Sequence, residues 1–180
     1  TDLTQGSSFS TGWSWAFTST CNGSTLIGGY GLFGSGSSTT KTFSGLMTPH
    51  TAVTISFRAY YTGSWDGWSF TYASPPYFDS VMLFVDDKLA YHRPYQADGS
   101  LQTYLCWTGS SSSYAYIRTE TLYNYPHSNS SIKLTFRTGL TEGNTNEAFG
   151  FSDILSESTS LVTQPATLAT EPQPMIAPNA

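Results

Sequence analysis

The stretch AVTISFRAYY (Ala52–Tyr61) alternates apolar and polar residues with a period of two, and that rhythm limits what the chain can become. Val53, Ile55, Phe57 and Ala59 fall on one face, and Thr54, Ser56 and Arg58 on the other. SIKLTFRT repeats the pattern, with Ile132, Leu134 and Phe136 on one face and Lys133, Thr135 and Arg137 on the other. VMLFV (Val81–Val85) is apolar on both faces, as expected of a central strand. WSWAF, KTFSGL, KLAYHR, LQTYLCW, YAYIRTE and EAFGFSDIL are further strand-like runs, separated by clusters of Gly, Ser, Pro and Asn. No useful length carries a 3.6-residue period. The expected fold is all-β: an antiparallel β-sandwich of about nine to eleven strands, of jelly-roll type, over residues 1–157.

The composition changes after Glu157. Residues 158–180 contain four prolines, many threonines, no glycine and no aromatic residue. Proline at this density suits an extended path and not a central strand, so the segment reads as a Pro/Thr-rich tail of the kind that can carry O-glycans. Leu161, Val162, Leu168, Met175 and Ile176 stand in short apolar groups between its prolines, as anchors for a groove would.

Charge and cysteines narrow the setting. Charged residues make up 11% of the chain, about half the usual share, and the formal charge is −5. No basic patch is available to neutralise a phosphate backbone, which argues against nucleic acid. The longest apolar run is VMLFV, far short of the roughly 20 residues that cross a bilayer. Beginning at Thr1 with no leader, the chain reads as the mature form of a secreted protein. Asn22-Gly-Ser and Asn129-Ser-Ser are N-glycosylation sequons compatible with export. Cys21 and Cys106, an even pair without metal-ligand spacing, are expected to form a disulfide. The expected location is extracellular or at the cell surface.

Few motifs point to chemistry. GYGLFG (Gly29–Gly34) has the GxGxxG spacing, but GSGSSTT follows it where a dinucleotide site needs a helix, so it reads as a glycine-rich loop. His50, His92 and His127 stand alone along the sequence, in capping or core-edge positions. Twelve acids could include a glycosidase pair, but no feature singles one out, and the chain is read as non-enzymatic.

The stretch YYTGSWDGWSF (Tyr60–Phe70) is the most suggestive. Trp65, Trp68 and Tyr77 belong to an aromatic crowd around Pro75 and Pro76. Exposed, these rings would form a platform for glycans; buried, they would fill the sandwich. Asp66, between Trp65 and Gly67, can fix a tight turn through its carboxylate. It can also join Asp79 or Glu147 around a calcium ion, which prefers carboxylate and carbonyl oxygens. Trp65 then reads as a plug closing the end of the sandwich.

FSGLMTPHTAVTISFRAYYTGSWDG, FDSVMLFVDDKLAYH, SIKLTFRTGL and NEAFGFSDI together resemble a jelly-roll, lectin-like (galactose-binding-like) sandwich module of secreted and cell-surface proteins. The likeness spans roughly Thr42 to Ile154 and lies in motifs. Ser64, Trp65, Asp66 and Gly67 match its Ser-Trp-Asp-Gly turn, and Glu147, Gly150 and Asp153 match its closing segment. Ile154 stands where the module has Asn. The resemblance implies the fold and an extracellular setting. The expected function is a self-assembling structural subunit of a surface filament or coat, a homopolymer joined through its tail. The alternative is a glycan-binding, lectin-like module, with calcium as its possible cofactor.

Overall fold

The computed structural model describes residues 10–65, 79–95, 106 and 115–159. Among these lie nine strands and no helix: β1 (Thr18–Cys21), β2 (Ser24–Gly28), β3 (Ser38–Ser44), β4 (Ala52–Gly63), β5 (Ser80–Val85), β6 (Lys88–Pro94), β7 (Ala115–Pro126), β8 (Ser131–Thr138) and β9 (Glu147–Thr159). They form a five-stranded sheet ordered β1-β2-β9-β4-β7 and a four-stranded sheet ordered β3-β8-β5-β6, each antiparallel throughout. The all-β expectation holds, as two sheets of a sandwich.

The alternation decides which face goes inward. Val53, Ile55, Phe57 and Ala59 of β4 are fully buried, as are Ile132, Leu134 and Phe136 of β8. Phe136 stacks on Phe151 of β9 at 4.1 Å and meets Phe57 edge-on at 4.9 Å, so aromatic rings join the two sheets. VMLFV does lie between two partners, β8 and β6. Its outward residues Met82 and Phe84 are nevertheless only half-buried; among the described residues no further strand layer covers that sheet.

Two features depart from expectation. WSWAF is not a strand; the strand begins after it, at Thr18. The run lies along β3 through Ser14 N–H to the Thr40 carbonyl (2.8 Å) and through the Thr39 hydroxyl, which donates to the Trp15 carbonyl (2.7 Å). Side-chain bonds replace a regular ladder here, leaving Trp13 free to turn into the core against Phe43 and Phe151. The second feature is the hairpin β1–β2, turned by Asn22 and Gly23, both with positive φ (49° and 76°). Asn-Gly is a strong hairpin signal, and here it coincides with the sequon. A second hairpin, β5–β6, turns on Asp86 and Asp87, also at positive φ.

The Cys21–Cys106 disulfide forms as expected and closes a separation of 85 residues. It lies on the outer face of the five-stranded sheet, where Cys21, Leu26, Tyr60 and Ala115 make a second small core. No helix among the described residues is long and apolar enough to cross a membrane.

Candidate functional site

β4 ends, and β5 and β9 begin, at one pole of the sandwich. Gly63, the last residue of β4, pairs with Glu147, the first of β9. Gly63 has φ 92°, and a Cβ there would collide with the Asn146 carbonyl, so the chain can turn here only through glycine. Ser64 follows, its N–H donating to the Asn146 carbonyl and its hydroxyl to Asn146 Oδ1. Trp65 then folds inward. It is 1% exposed, meets Tyr61 edge-on at 4.9 Å, and donates its indole N–H to the carbonyls of Thr62 and Ala148.

The glycine-rich loop braces the same pole. Gly31 N–H donates to the Asn144 carbonyl (2.8 Å), and the Asn144 amide returns a bond to the Gly31 carbonyl (2.9 Å). GYGLFG therefore has a structural role: it holds the β8–β9 loop that delivers Glu147.

Two buried carboxyl groups meet at this pole. Asp79, just before β5, is 1% exposed, and Glu147 is fully buried. Asp79 Oδ1 accepts from the Thr141 N–H (3.3 Å) and the Thr141 hydroxyl (3.2 Å). Glu147 Oε2 accepts from the Glu142 N–H (3.2 Å), whereas Oε1 is buried with no hydrogen-bond partner. The Glu147 carboxyl is pushed up to about 8, first by loss of water and then by repulsion from Asp79. The pair can keep a proton, or it can ionise fully around a cation.

The structure thus brings together two of the three residues expected around calcium. Asp66, the third, lies outside the described residues, as do Trp68 and Tyr77 of the glycan platform. Among the described residues no three His, Cys, Asp or Glu side chains gather in a metal-sized group. Trp65 requires a correction: a ring 1% exposed cannot stack on a sugar, and its role is the plug. Asn22 and Asn129, the sequon asparagines, are both exposed, on the β1–β2 turn and on the β7–β8 loop. Leu161, Val162, Leu168, Met175 and Ile176 lie outside the described residues.

Sequence reasoning missed two polar clusters. His50 and His127 do not stand alone: His50 Nε2 lies 2.8 Å from His127 Nδ1, the rings are stacked, and His127 Nε2 lies 3.3 Å from Asp86. This pair closes the opposite pole, and 77 residues of chain separate its members, so spacing could not reveal it. The other cluster is built on Glu120 of β7, 4% exposed, which accepts from the hydroxyls of Tyr61 (3.1 Å) and Tyr91 (2.8 Å) and from Arg93 (3.2 Å). Burial and this carboxylate hold both phenols above their ordinary range. An acid at an inward register of a strand was the available signal.

No protein-family model matches the chain, and no curated protein matches it at a significant level.

Proposed function

We propose that this chain is a non-enzymatic, extracellular, jelly-roll module that binds carbohydrate and holds a structural calcium ion at the Asp79–Glu147 pole. The observation that carries this reading is the buried carboxyl pair with Glu147 Oε1 left without a partner. A buried carboxylate oxygen without a partner, as at Glu147 Oε1, is costly, and a hard divalent cation is what a pair of buried carboxyl groups accommodates best. The same pole is where residues 66–78 depart, at Trp65, and return, at Asp79. Calcium there would anchor both ends of the segment that carries Asp66, Trp68 and Tyr77. The disulfide supports an oxidising, extracellular setting.

Calcium at about 100 times its dissociation constant should add roughly 2.7 kcal/mol of stability. We expect the melting temperature to rise on titration with calcium, and Asp79→Asn and Glu147→Gln each to remove the response. A melting curve identical in excess chelator and in millimolar calcium would overturn the metal site. A glycan array probed in calcium tests the binding role.

A second reading, a filament subunit joined through the tail, is favoured by one observation. β9 starts at Glu147 and runs the length of the sandwich to pair Thr159 with Ala52, so the chain beyond it leaves from the pole opposite the carboxyl pair. A tail leaving there would be able to reach a neighbouring copy without crossing the first pole.

A further inference from the structure

The outer face of the five-stranded sheet carries a groove of about 600 Å³, within the range of small-ligand sites. Its floor includes Arg58 of β4 and Ile117 and Thr119 of β7; Asn22, Asp153 and Leu155 complete the lining.

Two arginines line it, and of these Arg118 turns to Glu120 whereas Arg58 does not. The chain has only seven Lys and Arg residues. Arg93 and Arg118 are directed to Glu120 and Lys133 to Asp87, whereas among the described residues Arg58, like Lys41, Lys88 and Arg137, has no carboxylate within ion-pair distance. Its guanidinium sits 5.9 Å from the ring centre of the fully buried Tyr60, which gives it a fixed support.

Asp153 has a separate origin. A bulge where β9 passes Ser56 and Arg58 puts Asp153 at φ 50° and turns it to the exposed side. Tyr60 Oη, Ser152 Oγ and Asp153 Oδ2 follow in a chain at 3.2 and 3.0 Å. Ser152 Oγ is the donor to both, and having a single hydrogen it gives it to either the Asp153 carboxylate or Tyr60 Oη. Asp153 is thereby held in place with its other oxygen available as an acceptor.

We propose that this groove binds an oligosaccharide bearing a carboxylate, such as a uronic acid. The planar fork of Arg58 pairs with the sugar carboxylate. Asp153 accepts from ring hydroxyls, Thr119 and Asn22 offer further hydrogen bonds, and Ile117 and the 43%-exposed Leu155 cover the apolar C–H face. This rests on the carbohydrate-binding reading and places the sugar on the sheet face, away from the calcium pole.

The test compares trigalacturonate with its neutral trimethyl ester by calorimetry, in calcium. Wild type should bind the acid at least about tenfold more tightly than the ester, the worth of one charge-assisted pair. Arg58→Gln should lose that preference with its melting temperature unchanged, and Arg58→Lys should keep part of it. Ser24→Ala, which removes the sequon and leaves Asn22 in place, should bind as wild type does. Equal affinity for acid and ester, or a preference that survives Arg58→Gln, overturns the groove. Binding that appears only in Ser24→Ala also overturns it, because the groove would then hold the chain's own glycan. Binding lost with Asp79→Asn but indifferent to Arg58→Gln sinks the groove and leaves the carbohydrate-binding reading standing. Silence on a whole glycan array sinks that reading itself.

Discussion

Glu147 concentrates the chemistry of this molecule in one side chain. Its ordinary value is 4.5, and burial beside Asp79 raises it to about 8, so the folded state holds this proton more tightly than the unfolded chain does. Stability from this group is fully present below about 4.5 and is lost as pH rises towards 8. In chelator, the melting temperature should therefore fall across that window and level off above it, once other carboxylates are allowed for by comparison with Glu147→Gln. That variant carries no charge, so it should flatten the slope and exceed wild type in stability at pH 8 without calcium. A wild-type curve in chelator with the same pH dependence as Glu147→Gln would show that the folded site does not resist ionisation. Saturating calcium should flatten the wild-type curve too, because a cation takes over from the proton.

At the scale of elements, the open side of the sandwich is tied by charge. β7 edges one sheet and β6 the other, and Glu120 of β7 reaches Tyr91 and Arg93 of β6 as well as Tyr61 of β4. Glu120→Ala would leave two buried or half-buried phenols without their acceptor, and we expect a loss of roughly 2–4 kcal/mol. The Arg93 side chain is 34% exposed, so solvent tempers its share of that loss. Urea unfolding checks the figure: a change below about 0.5 kcal/mol would mean that water replaces the carboxylate without cost. The poles are closed differently, one by the Trp65 plug and the other by the His50–His127 stack. Trp65→Ala should cost about 3–5 kcal/mol through the cavity it leaves, and should leave sugar binding in the groove intact, since the ring lies in the interior.

The whole molecule has two unlike ends. One gathers the carboxyl pair and both anchor points of the aromatic segment; the other releases the chain after β9. Extended at about 3.1–3.3 Å per residue, residues 158–180 would span roughly 70–75 Å. A sandwich of this length has a diameter of roughly 40 Å. On the filament reading, a tail of that reach passed from each copy to the next would make a head-to-tail contact, which would grow as an open filament unless the rotation closed a ring. Deleting residues 160–180, beyond the end of β9, should leave a folded monomer of unchanged melting temperature that no longer polymerises. Light scattering of full-length and truncated protein decides it. A full-length chain that stays monomeric at high concentration removes the filament reading and does not touch the carbohydrate one.

Local rhythm was legible in the residues alone. Period-two alternation in β4 and β8 identified the inward residues, because a strand sends successive side chains to opposite faces whatever it packs against. The cysteine pair was legible because it was the only one available. Asp79 and Glu147 were legible as candidates through their place in a motif, but their meeting was not: one precedes β5 and the other opens β9, and only sheet pairing brings those ends together. The same holds for His50 with His127, for Glu120 with its tyrosines, and for Arg58, which has no carboxylate partner among the described residues. WSWAF shows the reverse case, in which local alternation was present and tertiary packing overrode it, drawing Trp13 into the core along an incompletely paired edge. Strand character is a property of ten residues; a site is a property of which strands lie side by side, and that is decided by the burial of the whole sandwich.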